Sequence, residues 1–223
     1  MNNKIFVACD TSSTSTAKKI IKYTKTKKLK IGYKFGLEFF NSKNGRYFVS
    51  KLKKKIIFAD LKLNDIPNTC VSTIRALKDL NINYLTIHIS SGIEALKAVK
   101  KNSGKIKIIG VTTLTSLNNK NLKEIGYTKN IKNLVLHQAK LAAKSRLDAL
   151  VCSAQEVKIV RKVFKKEIIT PGIRFNLIKN DQRRTMTPKE AFKNGSDWLV
   201  IGRPITKGNI NKNIQNLIDH LNK

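Results

Sequence analysis

The sequence predicts a (β/α)8 barrel, a closed ring of eight parallel strands with helices packed outside. Three observations carry that prediction. Short β-type apolar runs alternate with longer helix-like stretches from one end of the chain to the other, the pattern of βα units around a parallel sheet. The runs number eight, which is the count that closes a ring. No Pro-, Gly- or Ser-rich linker divides the 223 residues, so 1–223 is expected to form one barrel domain with a sizeable core. A doubly wound open sheet shares the same alternation, and pattern alone does not prove closure.

In chain order, the first strand is expected at 5–10, where Ile5-Phe6-Val7-Ala8-Cys9 is continuously apolar and Asp10 ends the run. A helix over 17–23 leads to a strand at 30–35, and the third strand follows at 56–62. A helix over 69–80 connects it to a strand at 84–89, and a helix over 93–101 leads to the strand at 105–111. Helical spacing returns at 134–144 before a short strand at 149–152, and again at 154–164 before the strand at 167–170. A helix over 188–193 precedes the last strand at 198–201. Ile210, Ile214, Leu217, Ile218 and Leu221 then lie on one stripe, so a helix over 210–221 closes the ring.

Composition narrows the class of protein. With 45 Lys and Arg against 14 Asp and Glu the net charge is +31, yet 41% hydrophobic residues are enough for a folded core. Such a charge attracts nucleic acids and anionic metabolites. Only eight of the basic residues are Arg, however, and Lys is accompanied by abundant Asn and Ile, three residues that share A/T-rich codons. Runs such as 25–28 and 53–55 sit between apolar segments, where a solvated loop is the usual role. With no recognition motif and no aromatic interleaving, a nucleic-acid partner is not expected. Cys9, Cys70 and Cys152 lie far apart without metal-ligand spacing, so neither a disulfide framework nor a metal site is expected, and a reducing cytoplasm is the simplest compartment. No apolar stretch approaches the ~20 residues that span a bilayer, and the first apolar run stops short of a secretory signal of about 7–15 residues.

In a barrel of this kind the chemistry occupies the carboxyl ends of the strands and the loops that follow. Polar residues cluster there. Asp10 ends the first strand, Lys34 falls near the end of the second, and the third runs into Asp60-Leu61-Lys62-Leu63-Asn64-Asp65. Asp60 and Lys62 are two apart in extended chain, so both side chains point to one face. Charges on an inward strand face are costly to bury unless paired, which favours a site over packing, although a plain ion pair at a strand end uses the same residues. A second signal comes after the seventh and eighth strands, where barrels commonly hold phosphate: Pro171-Gly172-Ile173-Arg174 and Gly202-Arg203-Pro204 each join a glycine to an arginine. Glycine lets the backbone approach an oxyanion, and arginine offers a fork that matches phosphate.

The string from Asp60 to Thr69, with the segments 111–116, 151–156, 171–174, 181–184 and 200–204, resembles the orotidine 5′-phosphate decarboxylase family in order across nearly the whole chain. The resemblance implies cofactor-free loss of CO2 from orotidine 5′-phosphate to give UMP in pyrimidine nucleotide synthesis. It also implies roles. Lys34, Asp60, Lys62 and Asp65 form an alternating charge network, with Lys62 as the proton donor and Asp65 contributed across a homodimer interface to the neighbouring site. Asp10 holds ribose hydroxyls, Thr69 lies among the substrate contacts, Thr115 and Gln182 face the pyrimidine and its surroundings, and Arg174, Gly202 and Arg203 hold the phosphate region. Lys30 shares a strand with Lys34, but the context 33–38 fits the family at Lys34. The segment 175–181 is the expected lid.

Other conspicuous residues receive plainer readings. His88 is expected to be a hydrogen-bonded structural residue, the three cysteines small packing residues, and Trp198 to pack behind the barrel. The chain departs from the family where Ser90-Ser91-Gly92 replaces two consecutive glycines and where Phe175 follows Arg174. Two rival readings use the same residues: a metal-dependent sugar-phosphate decarboxylase or aldolase, and a basic nucleic-acid-binding protein on an enzyme scaffold.

Overall fold

Residues that alternate along each strand sort into two separate cores, and that sorting builds the architecture. The computed structural model describes residues 3–175 and 185–222. In it the eight strands are β1 (Lys4–Ala8), β2 (Lys30–Gly36), β3 (Ile56–Leu63), β4 (Tyr84–His88), β5 (Lys107–Val111), β6 (Ala149–Val151), β7 (Glu167–Thr170) and β8 (Trp198–Ile201). Every neighbouring pair is parallel, and β1 pairs with β8, so the sheet closes. The open-sheet alternative is thereby excluded.

Outward residues such as Ile5, Val7, Tyr33, Phe35, Ile57 and Leu85 join the helices in a large shell core. Inward residues form a second core: Phe6, Phe58, Tyr84, Ile109, Ile169, Trp198 and Val200. This period of two is the reason one strand can supply both cores. Trp198 belongs to the inner set because it shares a face with Val200, which corrects the expectation that it packs behind the barrel. Its ring stacks on Phe6 at 4.1 Å between centroids, and its indole N–H donates to Glu167. Phe6 in turn requires a glycine opposite: a Cβ on Gly32 would come within 2.6 Å of its ring.

The helices between strands are α1 (Thr14–Tyr23), α2 (Leu37–Phe40), α3 (Gly45–Lys51), α4 (Pro67–Ala76), α5 (Gly92–Asn102), α6 (Asn119–Glu124), α7 (Ile131–Lys144), α8 (Val157–Val163) and α9 (Pro188–Lys193), and α10 (Arg203–Thr206) and α11 (Ile210–Asn222) follow β8. Their starts are chemically marked. Ser13, Asn118, Asn130 and Thr187 accept backbone N–H bonds at the N-caps of α1, α6, α7 and α9. Pro67 and Pro188 occupy first-turn positions, where the missing N–H has no intrahelical partner to lose.

The amino-terminal end of the barrel is filled by inward side chains. Glu167 accepts from Tyr84 at 2.9 Å and from Lys107 at 3.0 Å, as well as from Trp198. Burial and the Glu167 carboxylate push the Tyr84 phenol up to about 12. Burial opposes the charge on Glu167, but its bonds to Lys107 and Tyr84 hold it below the usual carboxylate range. The opposite end is open, and the first inward residues there are charged.

Candidate active site

Along β3 the inward positions are Phe58, Asp60 and Lys62, so the parity that buries a phenylalanine also delivers an acid and a base to the mouth. Asp60 is only 8% exposed, and a carboxylate so buried needs partners. It has three. Lys62 Nζ lies 2.9 Å and Lys34 Nζ 3.4 Å from its Oδ2, and the Thr86 hydroxyl donates to its Oδ1 at 3.2 Å. Lys34 donates onward to Asp10 at 2.9 Å. The result is a chain of alternating charge, Asp10–Lys34–Asp60–Lys62, in which Lys34 and not Lys30 occupies the mouth.

Local backbone geometry aims Lys62. The register of β3 against β4 shifts between Ala59 and Leu63, and Lys62 adopts φ 49, the left-handed region that a side chain rarely enters. That conformation costs about 1–2 kcal/mol and persists only where neighbours enforce it. Thr86 is the enforcing neighbour. Its Oγ1 accepts the Lys62 backbone N–H at 2.8 Å while its proton goes to Asp60, so one buried hydroxyl fixes both the backbone of the lysine and the carboxylate beside it.

Burial disfavours charge on both Asp60 and Lys34, and the pairing outweighs it. Lys34 and Lys62 hold the Asp60 carboxyl below its usual range, while Asp60 and Asp10 hold the Lys34 ammonium above the ordinary lysine range. Burial, followed by the positive charge of Lys62, keeps the His88 imidazole below its ordinary value. His88 is half-buried and does not line the cavity. Burial raises the Cys9 thiol to about 12, so it is an inert packing group, in line with expectation.

Above this cluster opens a cavity of about 610 Å³. Asp10, Lys34, Asp60 and Lys62 line it, and so do Arg174, Gly202, Arg203 and Thr115. Gly202 sits close against Asp10, since a Cβ there would lie 3.6 Å from Asp10 Oδ2. Of the expected site residues, eight therefore share one cavity. Asp65 and Thr69 do not: both are exposed on the stretch leading into and along α4, and Asp65 accepts the Ile66 backbone N–H. Gln182, and all of the expected lid except Phe175, lie outside the described residues.

Several lining residues were not singled out from the sequence. Lys207 follows α10 and adds a further cation to the lining. Thr112 and Thr113 line the wall beside Thr115. Their loop is pinned from behind, because Thr112 donates to the Val151 carbonyl and the buried Gln138 carbonyl oxygen accepts both the N–H and hydroxyl of Thr113. Cys152 also lines the cavity, though as a small wall residue. The T-T-L-T string was visible, but nothing in it signals which hydroxyls face inward.

A cavity lined by alternating charges and by two arginines can stabilise developing negative charge on a reacting atom while an anionic group is held. Comparisons with known proteins agree with that chemistry. The family model described as orotidine 5′-phosphate decarboxylase / HUMPS family matches residues 3–213. Orotidine 5′-phosphate decarboxylase from Wolbachia sp. subsp. Brugia malayi (strain TRS) is 46% identical over 225 residues, covering 97% of each chain. The crystal structure of orotidine 5′-phosphate decarboxylase from Lactobacillus acidophilus superimposes with a TM-score of 0.85 at 30% identity, over 100% of both chains. The inhibitor complex of orotidine 5′-monophosphate decarboxylase from Methanocaldococcus jannaschii has a TM-score of 0.79 over 100% of both chains; at 21% identity it speaks for the fold.

Proposed function

Because the chain belongs to the orotidine 5′-phosphate decarboxylase / HUMPS family, we propose that its barrel mouth converts orotidine 5′-phosphate to UMP and CO2 without a cofactor. The observation that carries this reading is the contact chain from Asp10 through Lys34 and Asp60 to Lys62, opening into one cavity with Arg174 and Arg203.

The chemistry explains why these groups are needed. Loss of CO2 from C6 leaves an electron pair in the plane of the pyrimidine, where no neighbouring carbonyl delocalises it fully. The Lys62 ammonium stabilises that pair as it forms and then transfers a proton to C6, so one group supplies both electrostatic stabilisation and general acid chemistry. Lysine suits the role because it stays charged near neutral pH. Asp60 keeps Lys62 aimed, and Lys34 keeps Asp60 ionised. Asp60 also lies beside the departing carboxylate, where two like charges at 4 Å repel by about 4 kcal/mol at an effective dielectric near 20. That stress is relieved as CO2 leaves.

Arg203, Arg174 and the Gly202 backbone hold the phosphate, Asp10 the ribose hydroxyls, and Thr115 and Gln182 the surroundings of the pyrimidine. Binding energy from the unreacting phosphate then organises the charges at the other end of the substrate. Asp65 and Thr69 complete the site of a second copy in a homodimer. In support of that arrangement, Leu37, Ile66 and Leu114, which follow β2, β3 and β5, are 52%, 66% and 39% exposed, apolar surface that a partner would cover. The compartment we assign is the cytoplasm; three free buried cysteines fit a reducing environment, and among the described residues no helix is long and apolar enough to cross a membrane.

Turnover of orotidine 5′-phosphate, followed by loss of its absorbance in the presence of EDTA, tests the reading. Metal-independent decarboxylation is expected, with Lys62→Ala reduced by about 10⁴-fold while still folded. A strict requirement for a divalent metal, or an active Lys62→Ala protein, would overturn it.

A further inference from the structure

A second concave site lies outside the barrel, between α1 and α3, and shares no lining residue with the mouth cavity. It encloses about 560 Å³, within the range of small-ligand sites. Its apolar floor is Ile21, Phe48 and Leu52, and its rim is cationic: Lys18, Lys22, Lys25 and Lys51. No acidic residue lines it, and among the described residues none of the four ammoniums has a carboxylate within 4.0 Å.

Three features identify what would fill it. Lys18 and Lys22 lie one turn apart on α1, about 6 Å at 1.5 Å per residue, and Lys25 follows just past the helix end, so the three line the same cleft in succession. Like charges so spaced repel, and α1 contains no acid to offset them, so an extended anion laid along the row turns repulsion into attraction. Tyr47 supplies the other half of a recognition surface. It is 66% exposed in the wall, with the Lys51 ammonium 4.8 Å from its ring centroid, a cation–π contact that steadies a large aromatic otherwise free in water. A ring beside a row of ammoniums over an apolar floor matches a ligand with a flat aromatic body and a short polyphosphate tail. We propose that this cleft is a binding site for a nucleoside triphosphate, its base against Tyr47 and its phosphates along Lys18, Lys22 and Lys25.

The test is calorimetric titration of the whole protein with ATP and, separately, with inorganic tripolyphosphate, which has no ring. The triple variant Lys18→Gln/Lys22→Gln/Lys25→Gln is expected to weaken both ligands about tenfold. A charge-matched control, Lys97→Gln/Lys101→Gln/Lys144→Gln, changes either by less than about twofold. Tyr47→Ala is expected to weaken ATP about fivefold and leave tripolyphosphate unchanged. Decarboxylation by every variant stays at the parent rate, which reports that each is folded. Equal losses in the triple variant and its control would reduce the effect to diffuse charge and overturn the proposal. So would displacement of ATP by saturating UMP, which would move ATP to the barrel mouth, or a Tyr47→Ala effect that is the same with and without the ring. Tighter binding of a short single-stranded RNA than of ATP, lost in the same triple variant, would make the cleft a nucleic-acid groove instead.

Discussion

Replacing Asp60 by Asn removes the negative charge at the centre of the mouth and leaves two ammoniums facing one carboxamide. Lys34 and Lys62 Nζ lie 3.4 and 2.9 Å from the same Asp60 oxygen, so the two nitrogens are at most roughly 6 Å apart. At an effective dielectric near 20, like charges at that separation repel by about 3 kcal/mol. Breaking a buried pair from one side costs about 3–5 kcal/mol. The Lys62 side chain is 35% exposed and can swing toward water, whereas the Lys34 side chain, 11% exposed, cannot, so the lower end of that range is expected. A Lys62 that has swung outward no longer meets the carbanion. Losing about 3 kcal/mol of transition-state stabilisation lowers kcat by about a hundredfold. Urea denaturation gives the first quantity and turnover of orotidine 5′-phosphate the second. The double variant Asp60→Asn/Lys34→Met separates them: with one ammonium gone, stability recovers toward the parent while kcat does not. An Asp60→Asn protein within about 0.5 kcal/mol of the parent in stability and within about threefold in kcat would refute the reasoning, as would strictly additive stability losses in the double variant.

Thr86→Val keeps the shape but removes the hydroxyl that bridges the Lys62 N–H and the Asp60 carboxylate; a stability loss of about 1–3 kcal/mol with a fall in kcat larger than the change in KM is expected, and equal effects on kcat and KM would argue against positioning. Arg203→Ala is expected to lower kcat/KM for orotidine 5′-phosphate by at least about a hundredfold, with a far smaller loss on orotidine, and equal losses on both would contradict the phosphate assignment. The pH dependence follows from the signs of the paired groups. Asp60, depressed in the fold, adds stability above the ordinary aspartate range that is lost as pH falls through its lowered value. Lys34, raised in the fold, adds stability below the ordinary lysine range that is lost as pH rises through its raised value. Between about pH 5 and 9 neither titrates, so their contribution to the denaturation midpoint is flat there; a midpoint slope in that window which Asp60→Asn abolishes would show the sign to be wrong.

How far the molecule could be read in advance depended on the length of its signals. Each strand was visible because it is a short apolar run that must be buried on both faces. Four helices were missed, α2, α3, α6 and α10, each of seven residues or fewer, although α8 and α9 are as short and were read. Asp60 and Lys62 were legible because a strand fixes parity, so two residues two apart share a face. Thr86 was not, since its role depends on the register of β4 against β3 and not on its own neighbours. Trp198 was misread as well, since only the strand's parity with Val200 puts it inside. Lys207 carried no signal at all in a chain with so many lysines.

The filled lower end of the barrel has a consequence for traffic. Phe6, Trp198 and Tyr84 are 0%, 1% and 5% exposed, and Glu167 ties two of them together, so the described residues leave no back door at that end. Departing gas, finished nucleotide and incoming reactant must pass one another through a single doorway. The nucleotide left behind therefore competes with the next reactant for the same seat. Its inhibition of the steady-state rate should be purely competitive, and release through that doorway becomes the natural bottleneck once the carbon bond breaks quickly.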